Sequence, residues 1–367
     1  MPALGGKRWI AGLLGAILLA HAAPGGATGR LCASTPPNTS APCRIALLLP
    51  LQSDSLGQAA QALRDGFLAA ASVDAQAPAI SLIDSGDTPA SAQDAYARAA
   101  AGHVLIVGPL GKSLVAALVA SPVLTPTLAL SLPNDSVLPS HMAAIGLSLD
   151  AEGRQLAQWA AARQRGPALI VTAGASWQQR LASVLAAQWQ QGGRTASVLE
   201  AAAASGYLSD AALAAILARV ASSRPALVFA ALEPDQARQL KAALPPELPV
   251  YGASSVNPGP DAQLAPHELD GLHLLDLPWL LTPDTAGVAA WPQPLSPLPP
   301  DLARLYALGI DAYRVARALA LNDGDGVELD GVTGKLSLHF GDGPARFARR
   351  AAAAVYQAGL AQPATEP

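Results

Sequence analysis

The sequence predicts an α/β protein of two lobes, each a mostly parallel sheet flanked by helices. Three observations carry this. A complete strand–loop–helix unit stands at residues 44–72. Short apolar runs and amphipathic stretches then alternate along the chain, the pattern that builds parallel sheets through helical crossovers. The alternation comes in two series, with a break near residue 147.

In the opening unit the run 45–49, Ile-Ala-Leu-Leu-Leu, is stopped by Pro50. Its length and unbroken apolarity predict a strand buried on both faces. After a polar turn at 52–55, Leu56, Ala60, Leu63, Phe67 and Ala70 recur at spacings of three and four. They share one helix face, with Arg64 and Asp65 opposite. The intervening loop lies at the carboxyl end of the strand, where open α/β sheets bind ligands. The first series continues with a strand at 79–83, a helix at 90–101, a strand at 104–107, a helix to 120 and a strand at 127–130 between Pro126 and Pro133. Residues 146–148 read as a further strand or a crossover.

The second series opens with Asp150 as the cap of a helix over 151–163. A strand at 168–172 follows, then a helix at 178–191 closed by Gly192-Gly193. Further strands are expected at 198–201, 226–230 and 250–253, with helices at 210–221 and 235–244. Beyond it, 272–277 is strand-like and 281–300 is a proline-rich surface loop. Asp301 caps a strongly periodic helix through Leu302, Leu305, Tyr306, Gly309 and Tyr313. Residues 331–340 carry the glycines and alternation of a hairpin, and the alanine-rich 345–359 reads as a closing helix.

Composition bounds the function. The net charge of −4 and a pI of about 5.8 give no electrostatic case for nucleic acid. Mean hydropathy is +0.29, yet past the N-terminus no apolar run approaches the roughly 18 residues of a spanning helix, so the mature chain is expected to lack one. The excess is alanine, which suits helices packed on a sheet.

The N-terminus reads as a secretory signal over 1–22. Lys7 and Arg8 precede an apolar stretch at 9–20, and Ala20-His21-Ala22 has the small-x-small form of a cleavage site, with a cut after Ala27 as the alternative. The expected location is the periplasm. In an exported chain the two cysteines, Cys32 and Cys43, favour a disulfide, which would pin the leader 23–43 to the first strand. The rival reading is a lipidation cysteine at Cys32. Gly29-Arg30-Leu31 ahead of it do not fit that role, so outer-membrane association is left without a convincing lipid anchor.

The chemical motifs are negative. Residues 108–113, Gly-Pro-Leu-Gly-Lys-Ser, end like a phosphate-binding loop, but the pattern needs glycine where Ile106 stands. A milder reading is an anion held by N–H groups at a helix start; the other is a plain glycine turn with a solvated Lys112. There is no G-x-S-x-G elbow. His267-Glu268 lacks the second histidine of a zinc helix, and the histidines have no ligand spacing to one another. Asp323 and Asp325 lie in a Gly-rich turn that lacks a calcium loop's remaining ligands. Neither a catalytic constellation, nor a metal, nor a cofactor is expected.

Several blocks together carry a resemblance. They are IALLLPLQSDSLGQAAQALRDGFLAA (45–70), VLIVGPLGKSLVAAL (104–118), GLSLDAEGRQLAQWA (146–160), LVFAALEPDQARQLKAAL (227–244), VYGASS (250–255), DGLHLLDLPWLL (270–281), RLYALGIDAYRVARAL (304–319) and LDGVTGKLSL (329–338). The chain resembles the LppC/LpoA family of penicillin-binding-protein activators, within the type I periplasmic binding protein superfamily, over 44–360. The resemblance implies two lobes joined by a hinge crossed three times, with 44–147 and 277–322 in the first lobe and 148–276 and 323–367 in the second. It implies a non-enzymatic regulator that docks on and stimulates a class A peptidoglycan synthase. The alternative is a solute-binding receptor for an amino acid, peptide or similar small molecule, serving an ABC importer. That reading puts strand-end residues in a cleft: Ser53, Asp54, Ser55, Gly111, Lys112, Ser113 and Ser131 from one lobe, with Ser176, Trp177, Glu233 and Ser254 from the other. Trp177 is read two ways, as a stacking residue in the cleft or as packing on its own helix.

Overall fold

The computed structural model describes Cys32 and residues 43–132, 137–259, 267–321, 326–339 and 344–364. The signal stretch 1–22, the leader apart from Cys32 and Cys43, and the turn at 322–325 lie outside them.

The first lobe is built from β1 (Arg44–Leu49), α1 (Gly57–Ser72), β2 (Ala79–Asp84), α2 (Pro89–Ala100), β3 (Leu105–Val107), α3 (Lys112–Val119), β4 (Thr127–Ala129) and β5 (Met142–Ala144). Its five strands pair in parallel in the order β2-β1-β3-β4-β5. Ile45 to Leu49 are wholly buried, as the unbroken apolar run requires of a strand covered on both faces. The second lobe contains α4 (Leu149–Arg163), β6 (Ala168–Thr172), α5 (Ser176–Gln191), β7 (Ala196–Glu200), a small hairpin of β8 (Ala203–Ala204) and β9 (Tyr207–Leu208), α6 (Asp210–Ser223), β10 (Leu227–Ala231), α7 (Pro234–Ala243), β11 (Val250–Gly252) and β12 (Leu272–Asp276). After β12 come α8 (Pro278–Leu281), α9 (Ala286–Ala289), α10 (Pro300–Leu321), β13 (Gly326–Gly331), β14 (Gly334–His339), β15 (Arg346–Arg350), β16 (Ala352–Gln357) and β17 (Leu360–Pro363). The second sheet runs β17-β16-β12-β11-β10-β6-β7, parallel except where β16 joins β12 and β17 joins β16.

The closing helix expected at 345–359 is not formed; that stretch is β15 and β16. Alanine favours a helix intrinsically, but tertiary pairing overrides it. Arg346, Ala348 and Arg350 face outward, with Phe347 and Arg349 turned the other way. Ala352 to Val355 register against β12 and complete the second sheet. The alternation was present in the sequence, masked by the alanines. Two caps also differ. Ser148, not Asp150, caps α4, its hydroxyl accepting from Ala151 N at 3.3 Å. Helix α10 begins at Pro300, so Asp301 lies inside its first turn.

The chain passes between the lobes at 145–148, after β5; at Asp276-Leu277, after β12; and at Arg350–Ala352. The strands β13, β14 and β15 form an antiparallel sheet of their own. They bury Val327, Leu336 and Leu338 in the first lobe's main core. The expected division gave all of 323–367 to the second lobe. The apolar face of this small sheet packs on the core shared by the first sheet, α1 and α10, while β16 and β17 pair into the second sheet.

Helices α1 and α10 cross at close quarters. A Cβ on Gly309 would stand 2.1 Å from Leu63 O, and one on Gly66 would stand 1.9 Å from Tyr306 O. The two glycines let the backbones touch, and Phe67 meets Tyr313 edge-on, with ring centroids 5.3 Å apart. At the N-terminal side Cys32 and Cys43 form a disulfide, their Cα atoms 5.3 Å apart. Cys32 N donates to Ala320 O at 3.1 Å, so the clip ties the start of β1 to the end of α10.

Candidate functional site

A cleft of about 1640 Å³ opens between the lobes. Its floor is made by the segments that cross between them. Asp276 ends β12 and is fully buried. Arg304, on α10, grips it in a fork: Nε donates to Oδ1 at 3.0 Å and Nη2 to Oδ2 at 2.7 Å. Two further donors satisfy the same carboxylate, Leu277 N and Asn257 Nδ2, each at 2.8 Å, and the Tyr356 hydroxyl donates to Asn257 Oδ1. Arg304 completes its own set with Ser254 O at 2.7 Å and Asp301 Oδ1 at 2.8 Å. Burial works against its charge, but the Asp276 carboxylate outweighs this and holds the guanidinium more firmly protonated than an ordinary arginine.

Glu152, in the first turn of α4, joins this floor. Ser254 donates to it twice, from its backbone N and, at 3.0 Å, from Oγ. Burial pushes the Glu152 carboxyl up to about 7 and the Asp276 charge adds to the effect, against the pull of the Ser254 hydrogen bonds and of Arg304. A third crossing is held by Arg349, whose Nη1 donates to Gly146 O and Nε to Thr333 Oγ1. Gln155 clamps the same strand, donating to Arg349 O at 2.7 Å and accepting from Ala351 N at 3.1 Å. Burial lowers the Arg349 pKa to about 10, with Asp311 and Glu152 opposing the fall. Nearer the rim, Arg180 forms a bidentate pair with Asp150, both contacts 2.7 Å. Asp150 is held below the usual carboxylate range by that hydrogen bonding, against a smaller effect of burial.

Of the strand-end residues expected in the cleft, Lys112, Ser131, Trp177 and Ser254 line it. Trp177 also packs on the core beneath α5. Gly111 stands just behind, its N donating to Ser131 Oγ at 3.0 Å. The others lie outside the lining. Ser53 is buried and its hydroxyl accepts from Leu56 N at the head of α1, with Asp54 and Ser55 exposed in the same turn. Ser113 and Ser176 are exposed in the first turns of α3 and α5, and Glu233 is exposed at the head of α7. Sequence reasoning missed Glu152, Gln155, Asp276, Arg304 and Arg349. Asp276 was within reach, because it ends a strand like the residues chosen. The others sit on helices, or on a strand that read as helix.

Among the described residues no group of three or more His, Cys, Asp or Glu is placed to hold a metal ion, and no helix is long and apolar enough to cross a membrane. The arrangement is a set of paired charges that ties the lobes together at the hinge.

No curated protein sequence matches the chain. A family model described as "LppC putative lipoprotein" matches residues 37–357.

The chain belongs to the LppC family.

Solved structures agree with the fold of this LppC-family chain. A protein from Chromobacterium violaceum, described as "a putative branched-chain amino acid ABC transporter", is 34% identical, with 86% of this chain and 100% of that one covered and a TM-score of 0.71. Haemophilus influenzae LpoA is 22% identical with a TM-score of 0.71; the match covers 88% of this chain and 58% of that one. The Haemophilus influenzae LpoA C-domain, described as a regulator of PBP1A, is covered completely, at 22% identity and a TM-score of 0.67. At 22% identity the LpoA matches speak for the fold alone. The fold is that of the type I periplasmic binding proteins, two lobes each built on a mostly parallel sheet.

Proposed function

We propose that this LppC-family chain is a non-enzymatic regulator of the cell envelope that activates a class A peptidoglycan synthase by direct protein–protein contact. The observation that carries the reading is family membership over 37–357, joined to a match that spans the whole LpoA C-domain, itself described as a regulator of PBP1A. The cleft supports it physically. A receptor that closes on a solute keeps donors and acceptors at its hinge floor for the ligand. Here both Asp276 oxygens, both Glu152 oxygens and all three Arg304 nitrogens are engaged with one another or with Ser254, Asn257, Leu277 and Asp301. These pairings favour a fixed relation between the lobes at Asp276 and Arg304, which suits a docking scaffold, although Arg349 Nη2 on the same cleft is buried without a hydrogen-bond partner. The secretory pattern at 1–22 and the lipoprotein description of the family are in keeping with a periplasmic location.

The test is binding of the purified chain to an immobilised class A penicillin-binding protein. Saturable binding is expected, and its absence across a wide concentration range would count against the reading.

The second reading, a solute-binding receptor for an ABC importer, is favoured by one observation, the 34% identity over the whole of the Chromobacterium violaceum protein. A thermal-shift screen against amino acids and short peptides separates the two. A solute at a hundred times its dissociation constant would add about 2.7 kcal/mol to stability. The regulator reading expects no such rise.

A further inference from the structure

Arg349 is held differently from the other arginine that braces the cleft. Arg304 is gripped by the Asp276 carboxylate. Arg349 donates only to neutral oxygens, from Nε to Thr333 Oγ1 and from Nη1 to Gly146 O, and its Nη2 is buried with no hydrogen-bond partner. Asp311 is reached only through Thr333; its own oxygens accept from Thr333 N and Oγ1, Val332 N and Arg314 Nη1. Burial takes the Arg349 pKa only to about 10, so the guanidinium is charged at neutral pH. A buried donor without an acceptor is costly, and more so when it is charged. Arg349 and Gly146 both line the cleft.

Two further guanidiniums stand on the same wall. Gln155 of α4 holds Arg349 O and Ala351 N, which sets Arg350, the residue between them, against the helix that carries Arg154. Both Arg154 and Arg350 line the cleft and are exposed, and among the described residues neither forms a salt bridge. The charge of Arg154 falls on Asp150, whose two oxygens already accept from Arg180. We infer that the α4–β15 wall of the cleft is an anion site, where an oxyanion of a small solute, phosphate or carboxylate, takes Arg349 Nη2 and is flanked by Arg154 and Arg350. The planar fork of a guanidinium matches either oxyanion, and three guanidiniums favour a ligand with more than one negative charge. An amino acid would bring an ammonium as well, and the cleft offers it little. Asp276 and Glu152 are engaged on the floor. The carboxylates of β13 face basic side chains of β14, Glu328 with His339 at 3.6 Å and Asp330 in register with Lys335.

The experiment is isothermal titration calorimetry of the chain alone, at physiological salt, with pyrophosphate and with citrate as probes. Arg154→Gln combined with Arg350→Gln removes the two exposed charges. Arg349→Lys keeps the charge and loses the fork. Arg98→Gln, exposed on α2 and outside the cleft lining, is the control. Melting temperatures establish that each variant is folded, and the double variant remains informative should Arg349→Lys unfold. The expected result is saturable binding of at least one probe, weakened about tenfold in the double variant and in Arg349→Lys and unchanged in Arg98→Gln. Binding of pyrophosphate alone assigns a phosphate compound, and binding of citrate alone a carboxylic acid. No binding of either probe to the wild-type chain would overturn the site, as would equal affinity in the double variant. An equal loss in Arg98→Gln would reduce the binding to diffuse attraction and overturn it likewise. No synthase enters the measurement, so the regulator reading is decided separately.

Discussion

Arg304 makes two ion pairs of very different worth. Its partner Asp276 is fully buried, whereas the Asp301 side chain is 93% exposed. Removing the arginine strands Asp276 with its charge in the interior, and Arg304→Met is expected to cost about 3–5 kcal/mol. Asp301→Ala removes a solvated partner and should cost less than about 1 kcal/mol. Urea unfolding of both variants checks the contrast, and comparable losses would mean that the floor is not held as described. Glu152 gives a pH signature. Its carboxyl titrates at about 7 in the folded chain, against 4.5 as its ordinary value. Between those values the folded state binds the proton more tightly, so this group's contribution to stability is full below about 4.5 and is lost as pH rises through 7. Glu152→Gln cannot ionise. Its stability relative to wild type should therefore improve by about 1–3 kcal/mol from pH 5 to pH 8. A pH-independent difference would contradict the assignment.

At the scale of elements, the α1–α10 crossing brings two helix backbones into contact. Replacing a helical glycine by alanine normally gains about 1 kcal/mol of helix propensity. At Gly309 the new Cβ would meet the backbone of Leu63 and Phe67, which cannot move aside as a side chain does. Gly309→Ala is expected to destabilise by at least about 2 kcal/mol, as overpacking does, and calorimetric melting measures it. A higher melting temperature would refute the close approach. The same helices show what the sequence makes plain. The stripe Ala60, Leu63, Phe67, Ala70 is wholly buried, because a 3.6-residue period leaves little choice of face. The central parallel strands were equally legible, since both their faces are covered. The last third of the chain was not. In 345–359 the alanines carry no polarity to reveal a two-residue period; 346–350 pairs with β14, and the partner of 352–355, β12, lies some eighty residues earlier. The cleft was legible only where it is made of strand ends. Glu152, Gln155 and Arg304 project from helices whose direction depends on how the lobes meet, which no local pattern specifies.

For the whole molecule, two sheets meet at a cleft whose floor pairs Asp276 with Arg304 and Glu152 with Ser254. The architecture is that of a binding protein; the chemistry of its floor is that of a brace. These features fit a protein that acts by presenting a surface to a larger enzyme. The most direct measurement is the rate of glycan polymerisation and peptide cross-linking by a purified class A penicillin-binding protein as this chain is titrated in. The account predicts a rise that saturates near equal stoichiometry and persists when no small solute is added. A flat rate throughout the titration, together with a clear rise in melting temperature on adding an amino acid or short peptide, would contradict it and give the cleft back to a solute.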